Sequence, residues 1–125
     1  MGVLARWFGQ EHDSATEADA RRLTQYRHVL RTAPLESLEQ AHTDAFGELA
    51  EWHRAAIYEE LSRGAGTGER PRSSEPATLA RSATRAERRM PGDLERTLRS
   101  ADLLKPVVAH VTGSPLVSAF LPWNS

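Results

Sequence analysis

Glu39 and His42 are the residues whose types and spacing come closest to a metal site in this sequence. A Glu-x-x-His motif places a carboxylate and an imidazole on one helical face, as in di-iron bundles, which need two such motifs and two further carboxylates. No other histidine here has a glutamate three residues before it. Because His42 also falls in a stripe of apolar residues, a hydrogen-bonded core histidine is the preferred interpretation. We predict no metal site and no cofactor.

Other potential catalytic groups lack the partners that their chemistry needs. His28 and His53 belong to no nucleophile elbow and no triad motif. Gly64, Gly66 and Gly68 imitate a phosphate-binding loop, but they follow a predicted helix rather than a strand and lack the lysine or further glycine of such loops. The absence of cysteine excludes disulfides, thiolate zinc sites and thiol nucleophiles. We therefore predict that the protein is not an enzyme.

The best-defined charged feature is a row of arginines on one predicted helix. Spacings of i, i+4, i+7 and i+8 bring four of them to one face: Arg81, Arg85, Arg88 and Arg89. Arg96 and Arg99 extend the basic character into the next helix. This face is suited to phosphates, to an acidic protein surface, or to the glutamates of residues 36–60 in the same chain or a second copy. Since residues 63–119 contain no Phe, Tyr or Trp for base stacking, nucleic acid is not the favoured partner.

Length and composition fit one small domain. The chain has 125 residues, of which 39% are hydrophobic and 26% charged, so a modest core is expected. The net charge is −1, yet residues 1–63 carry eleven carboxylates and seven arginines, whereas residues 70–99 carry four carboxylates and eight arginines. We predict an acidic N-terminal part (1–62), a Gly- and Pro-rich linker (63–76) and a basic C-terminal part (77–125) in one cytoplasmic domain.

Apolar residues at helical spacing predict an all-α fold, a small bundle of four or five helices with a flexible Gly/Pro-rich linker. Ser14 and Glu17 form a capping-box pattern, so a helix is expected to begin near Ser14. Its apolar face would be Leu23, Tyr26, Leu30 and Ala33, and Pro34 would end it or open the next helix.

Residues 35–61 fit either one long helix or two shorter ones, with Trp52 in the apolar stripe. We favour a helical hairpin or a bend at residues 47–50. A further helix is expected from Pro76 to Met90, with Met90 on its apolar face, and Asp93 would cap the next one.

Both ends of the chain carry apolar residues. Trp7 and Phe8 suit either a helical arm docked on the core or a shallow anchor on a membrane or partner. Residues 106–125 contain no Asp, Glu, Lys or Arg, but prolines interrupt them and their apolar runs are too short to span a bilayer. We expect this segment to cover the core, with a partner or self-association surface and an interfacial membrane contact as alternatives. The candidate partner-binding residues are Arg81, Arg85, Arg88, Arg89, Trp7, Phe8, Phe120 and Leu121.

Two stretches of the sequence resemble a group of short, uncharacterised actinobacterial proteins. They are residues 38–46 (Leu-Glu-Gln-Ala-His-Thr-Asp-Ala-Phe) and residues 79–98, where an Ala-Thr-Arg-Ala-Glu helix is followed by Pro-Gly and Leu-Glu-Arg-Thr. Members of that group often carry the automatic label of cation-transporting ATPase. This sequence gives that label no support, since it has no Asp-Lys-Thr phosphorylation motif, nucleotide site or transmembrane segment. The resemblance implies a helical fold and an actinobacterial origin.

These observations together predict a non-enzymatic accessory or interaction protein that presents helical and apolar surfaces to a protein partner. The alternatives are a nucleic-acid-associated protein that uses the arginine row and a peripheral membrane protein that uses the apolar ends. On the first interpretation, charge reversal at Arg85 and Arg88 should impair partner binding and leave helicity intact.

Overall fold

The computed structural model describes the backbone of residues 2–64 and 70–121 and the side chains of residues 17–64 and 70–121. Within these residues the chain is helical and has no strand, which confirms the all-α fold. The helices are α1 (Gly2–Thr32), α2 (Leu35–Gly47), α3 (Glu51–Gly64), α4 (Pro76–Arg89), α5 (Asp93–Ser100), α6 (Leu104–Thr112) and a 3₁₀ turn (Ser118–Phe120). None of the helices in the described ranges is both long enough and apolar enough to cross a membrane.

The described residues form six helices, one more than the largest number predicted, and the additional helix is α6. Pro106 was expected to interrupt this segment, but it is the third residue of α6. A proline in the first turn of a helix removes no intrahelical hydrogen bond, because the amides there have no partner within the helix. The apolar segment therefore folds onto the core as a helix.

Helix α1 begins at Gly2, so the expectation of a start near Ser14 is wrong for the backbone. A capping pattern starts a helix only where the preceding residues are not already helical, and residues 2–13 contain no proline to interrupt one. The helix ends at Thr32, because Pro34 disfavours the helical conformation of the residue before it. The predicted apolar face of α1 lies against the core, with Tyr26, Leu30 and Ala33 buried and Leu23 half-buried.

The chain bends between α2 and α3 at residues 48–50, as predicted. The Glu48 amide closes α2 by donating to the Ala45 carbonyl at 3.2 Å. The two helices pack against α4 rather than against each other, so the connection is a bend and not a hairpin. The bend also shifts the apolar stripe, which continues through Ile57 on α3. Trp52, predicted to lie in the stripe, is 71% exposed, and that part of the prediction is wrong.

One apolar core joins the predicted N- and C-terminal parts of the chain. Helix α4 packs mainly against α2, with α3 and α5 beside it, and α6 packs against both α1 and α2. Among the described residues, the largest fully buried apolar side chains come from all six helices and from the segment after α6: Tyr26, Val29, Leu38, Phe46, Ile57, Leu79, Leu94, Leu98, Val107, Val111 and Val117. Interactions between these faces fix the positions of the charged residues described below.

The turn between α4 and α5 differs from the sequence prediction in two ways. Met90 is 63% exposed rather than on the apolar face, because α4 ends at Arg89 and Met90 adopts an extended conformation. Asp93 is the first residue of α5 and not its cap. The buried carboxylate of Glu87 instead accepts hydrogen bonds from the amides of this turn, including that of Leu94 at 3.0 Å.

Replacing Gly92 with alanine is expected to lower the free energy of unfolding by about 1 kcal/mol. Gly92 has φ +98°, a left-handed conformation that strains any residue with a Cβ atom. Gly47→Ala is the matched control, because Gly47 lies at the end of α2 without a positive φ and with open space around it. The control should leave stability unchanged or raise it by up to about 1 kcal/mol. Urea unfolding measures both, and equal losses would contradict the assignment of the strain to Gly92.

Candidate functional site

His42 is a core histidine with hydrogen bonds at both ring nitrogens. It is fully buried, with Nδ1 2.7 Å from the Leu38 carbonyl oxygen and Nε2 2.8 Å from the Tyr26 hydroxyl. Because a carbonyl oxygen only accepts, Nδ1 carries the proton and Nε2 accepts from the tyrosine. Glu39, the other residue of the Glu-x-x-His motif, lies 3.5 Å from Arg81. The two residues of the motif therefore have separate structural partners.

The buried pair is electrically neutral over a wide range of pH. Burial lowers the pKa of His42 to about 4, against the smaller opposing effect of its hydrogen bond with the Leu38 backbone. Burial also raises the pKa of the Tyr26 phenol well above its ordinary value, and the nearby carboxylates of Glu87 and Glu95 add to the rise. No group of three or more potential ligands within residues 17–64 and 70–121 is placed to hold a metal ion.

The structure separates the predicted arginine row into two parts. Arg81, Arg85 and Arg89 face a groove beside α4. Arg88 turns away and donates to the Ala33 carbonyl oxygen at 2.9 Å. That carbonyl lies just beyond the C-terminal end of α1, where helices have unpaired carbonyls and a partial negative charge. Arg88 thus stabilises the end of α1 and does not belong to the groove.

Five arginines line this groove, which has a volume of about 570 Å³. They come from α4 and from the segment before it, and we call the site the arginine groove: Arg70, Arg72, Arg81, Arg85 and Arg89. None of the described residues along the groove is an aspartate or glutamate. Arg81 forms an ion pair with Glu39, with 3.5 Å between Nε and Oε1, although 65% of the Arg81 side chain remains exposed. The groove therefore concentrates positive charge on an open surface.

Arg54 of α3 attaches the segment before α4 to helix α3. Its Nη1 donates to the Leu49 carbonyl oxygen at 2.7 Å, and its Nε donates to the Ser74 carbonyl oxygen at 3.1 Å. Pro71, which lies between Arg70 and Arg72 in the chain, is buried. The described part of the predicted flexible linker, residues 70–75, is thus attached to the helices.

Arg96 and Arg99 do not extend the arginine groove, because both pair with carboxylates on their own helix. Arg96 pairs with Asp93, and Arg99 lies 2.8 Å from Glu95. Glu95 also accepts two hydrogen bonds of 2.8 Å from Arg27 of α1. The hydrogen bonds from Arg27, together with the interaction with Arg99, hold the pKa of Glu95 down to about 2.

The structure describes the side chains of the apolar candidate residues at the C-terminal end of the chain but not of those at the N-terminal end. Phe120 and Leu121 are half-buried and pack against the core. Trp7 and Phe8 lie within α1, but their side chains are outside the described residues. In the part of the chain whose side chains are described, the exposed large apolar residues are Trp52, Met90 and Leu116. The arginine groove is therefore the better-defined candidate site.

The sequence predicted the arginines of α4 as candidate site residues but not the two arginines that precede this helix. Arg70 and Arg72 were assigned to the linker because glycines, prolines and serines surround them. Their placement depends on Arg54, which lies 20 residues before Ser74 and carries no local signal. Because comparisons with protein-family models, with curated proteins and with solved structures found no match for this chain, its role has to be inferred from this geometry.

Proposed function

We propose that this chain is a non-enzymatic interaction protein that binds an acidic surface of a protein partner through the arginine groove. The observation that carries the proposal is the gathering of arginines around one groove, of which Arg70, Arg72 and Arg85 are exposed and have no carboxylate partner among the described residues. Guanidinium groups form paired, charge-assisted hydrogen bonds with carboxylates, which suits them to acidic protein surfaces. An acidic partner would supply carboxylates to Arg70, Arg72 and Arg85.

The contrast with other arginines of the chain supports this proposal. Arg27, Arg63, Arg96 and Arg99 each lie within ion-pair distance of a carboxylate of the same chain. Arg70, Arg72 and Arg85 make no hydrogen bond or ion pair with a described residue. Exposed like charges that gather on one surface create a positive potential that attracts anions. A protein partner is favoured over single-stranded nucleic acid because no aromatic residue for base stacking lines the groove in its described part.

Charge reversal at Arg85 is expected to reduce capture of the partner about tenfold, which corresponds to about 1.4 kcal/mol of binding free energy. Arg85 is exposed and has no described partner, so Arg85→Glu should leave the helical circular dichroism unchanged. Arg21→Glu is the matched control, since Arg21 is an exposed arginine of α1 away from the groove. Arg88→Glu is unsuitable, because it would place a carboxylate beside the Ala33 carbonyl and weaken α1.

The measurement is affinity capture from native-type lysate with the full-length chain, with and without nuclease. A partner protein that survives nuclease, elutes with salt and is lost with Arg85→Glu but not Arg21→Glu would support the proposal. Recovery of nucleic acid alone would overturn it, as would a protein that Arg85→Glu captures as well as the unmodified chain does.

A further inference from the structure

We infer that a second groove of this chain binds a small zwitterion, an amino acid with an apolar side chain. The groove lies between α1 and the start of α6, and we call it the α1–α6 groove. It shares none of its described lining residues with the arginine groove. The basis of the inference is an apolar surface beside two unpaired charges of opposite sign, one of which is carried by a residue with a strained backbone.

Apolar side chains from both helices line the α1–α6 groove: Leu23, Leu104 and Val108. Leu23 and Leu104 pack against the core but are only half-buried, so each keeps part of its surface open to solvent. The packing of α6 against α1 fixes the positions of these side chains relative to one another. A ligand with a hydrocarbon side chain would gain free energy of binding by covering this surface.

Arg22 of α1 and Asp102 of the turn before α6 also line the groove, and neither has a charged partner. Their side chains make no hydrogen bond or ion pair with a described residue. The remaining charged side chains of the lining are paired within the chain: Asp19 with Lys105, and Arg99 with Glu95. One cation and one anion are therefore left to interact with a ligand.

These two charges favour a ligand that carries a carboxylate and an ammonium group together. A carboxylate forms charge-assisted hydrogen bonds with the Arg22 guanidinium, and an ammonium group forms them with the Asp102 carboxylate. A polyanion such as a nucleotide would instead bring a like charge toward Asp102, which weakens binding. An apolar amino acid satisfies both charges and covers the apolar surface with its side chain.

Asp102 adopts a backbone conformation that suits glycine better than aspartate. Its φ is +60°, in the left-handed region. Its amide donates to the Arg99 carbonyl oxygen at 3.1 Å, and the Leu103 amide donates to the Leu98 carbonyl oxygen at 2.8 Å. These two hydrogen bonds form a Schellman motif, whose left-handed residue is usually glycine. Since strained residues of this kind cluster at binding sites, the aspartate is explained by a use for its carboxylate in the groove.

Titration of the full-length chain with L-leucine, followed by nuclear magnetic resonance, tests the inference. We expect saturable shifts of the Leu23 and Leu104 amide resonances. Leucinamide lacks the carboxylate and 4-methylpentanoate lacks the ammonium group, so each should bind at least about fivefold more weakly. Absence of saturable shifts with L-leucine would overturn the inference, as would equal binding of the three compounds.

The variant Asp102→Gly separates binding from stability, because it removes the carboxylate and the backbone strain together. L-leucine should bind to it at least about fivefold more weakly, whereas the urea midpoint of unfolding should rise. Arg22→Gln should weaken binding to a similar extent. Arg21→Gln is the matched control, since Arg21 is the exposed neighbour of Arg22 on α1 and does not line the groove. Unchanged affinity in Asp102→Gly or Arg22→Gln would overturn the inference, and a lower urea midpoint in Asp102→Gly would overturn the strain on which it is based.

Discussion

Lowering the pH from 7 to 5 is expected to reduce the free energy of unfolding by about 2 kcal/mol through His42 alone. The folded chain keeps His42 neutral down to a pKa of about 4, because the ring is buried. The unfolded chain takes up a proton near pH 6.5. The contribution to stability is therefore complete above pH 6.5 and is lost progressively as the pH falls from 6.5 to 4.

The part of the pH dependence that comes from His42 should disappear when this residue cannot be protonated. His42→Gln is expected to be less stable at pH 7, since the hydrogen bonds to Tyr26 and Leu38 are disturbed, but to lose about 2 kcal/mol less between pH 7 and pH 5. His110→Gln is the control, because His110 is exposed at the end of α6 and its replacement should retain the effect of His42. Urea unfolding at a series of pH values measures the difference.

A second measurement covers the case in which His42→Gln does not fold. The ring resonances of His42 in the folded, unmodified chain, followed by nuclear magnetic resonance, should not titrate between pH 7 and pH 5. Titration of His42 in that range would show that the folded chain admits the charged ring, and would contradict the neutral, doubly hydrogen-bonded assignment.

Local signals allowed the sequence to predict much of the helical framework. Helix α4 was expected from Pro76 to Met90 and runs from Pro76 to Arg89, since a proline at its start and Pro91-Gly92 at its end act within a few residues. The bend near Gly47 and most of the buried apolar positions follow from the same short-range periodicity.

Contacts between residues distant in sequence could not be predicted in this way. The hydrogen bond between Tyr26 and His42 joins two helices, and nothing in either helix identifies the partner. The spacing of the α4 arginines was visible, but their separation into groove residues and Arg88 depends on where α1 ends beside α4. The two groove arginines before α4 belong to a segment that Arg54 holds at the Ser74 carbonyl, and no motif surrounds Arg54. The sequence therefore identified only the α4 arginines of the candidate site.

The cap of α5 could not be predicted from local sequence either, because the capping side chain comes from the preceding helix α4. The buried Glu87 carboxylate accepts from the Gly92 amide at 3.0 and 3.1 Å and from the Leu94 amide at 3.0 Å. The usual capping pattern places the acceptor immediately before the helix, so sequence reasoning selected Asp93. Glu87 accepts from the Gly92 amide just before α5 and from the Leu94 amide in its first turn, which places the carboxylate at the positive end of that helix.

Replacing Glu87 with alanine is expected to lower the free energy of unfolding by about 3 kcal/mol, because two amides lose a charged acceptor in a buried setting. Glu87→Gln retains one acceptor oxygen but turns an amide donor toward the Gly92 amide, so a loss of about 1 kcal/mol is expected. Glu59→Ala is the control: Glu59 is exposed on α3, and its loss should change stability by less than about 0.5 kcal/mol. Urea unfolding measures all three variants.

Hydrogen exchange locates the effect of Glu87→Ala in the turn. The Leu94 amide, whose side chain is fully buried, should exchange faster in Glu87→Ala by a larger factor than amides in the middle of α2, because opening of α5 no longer breaks a charged hydrogen bond. A uniform acceleration over the chain would assign the loss to global stability alone. A stability loss no larger than that of Glu59→Ala would contradict the capping role, and the Pro91-Gly92 turn would then depend on its backbone conformation rather than on the carboxylate.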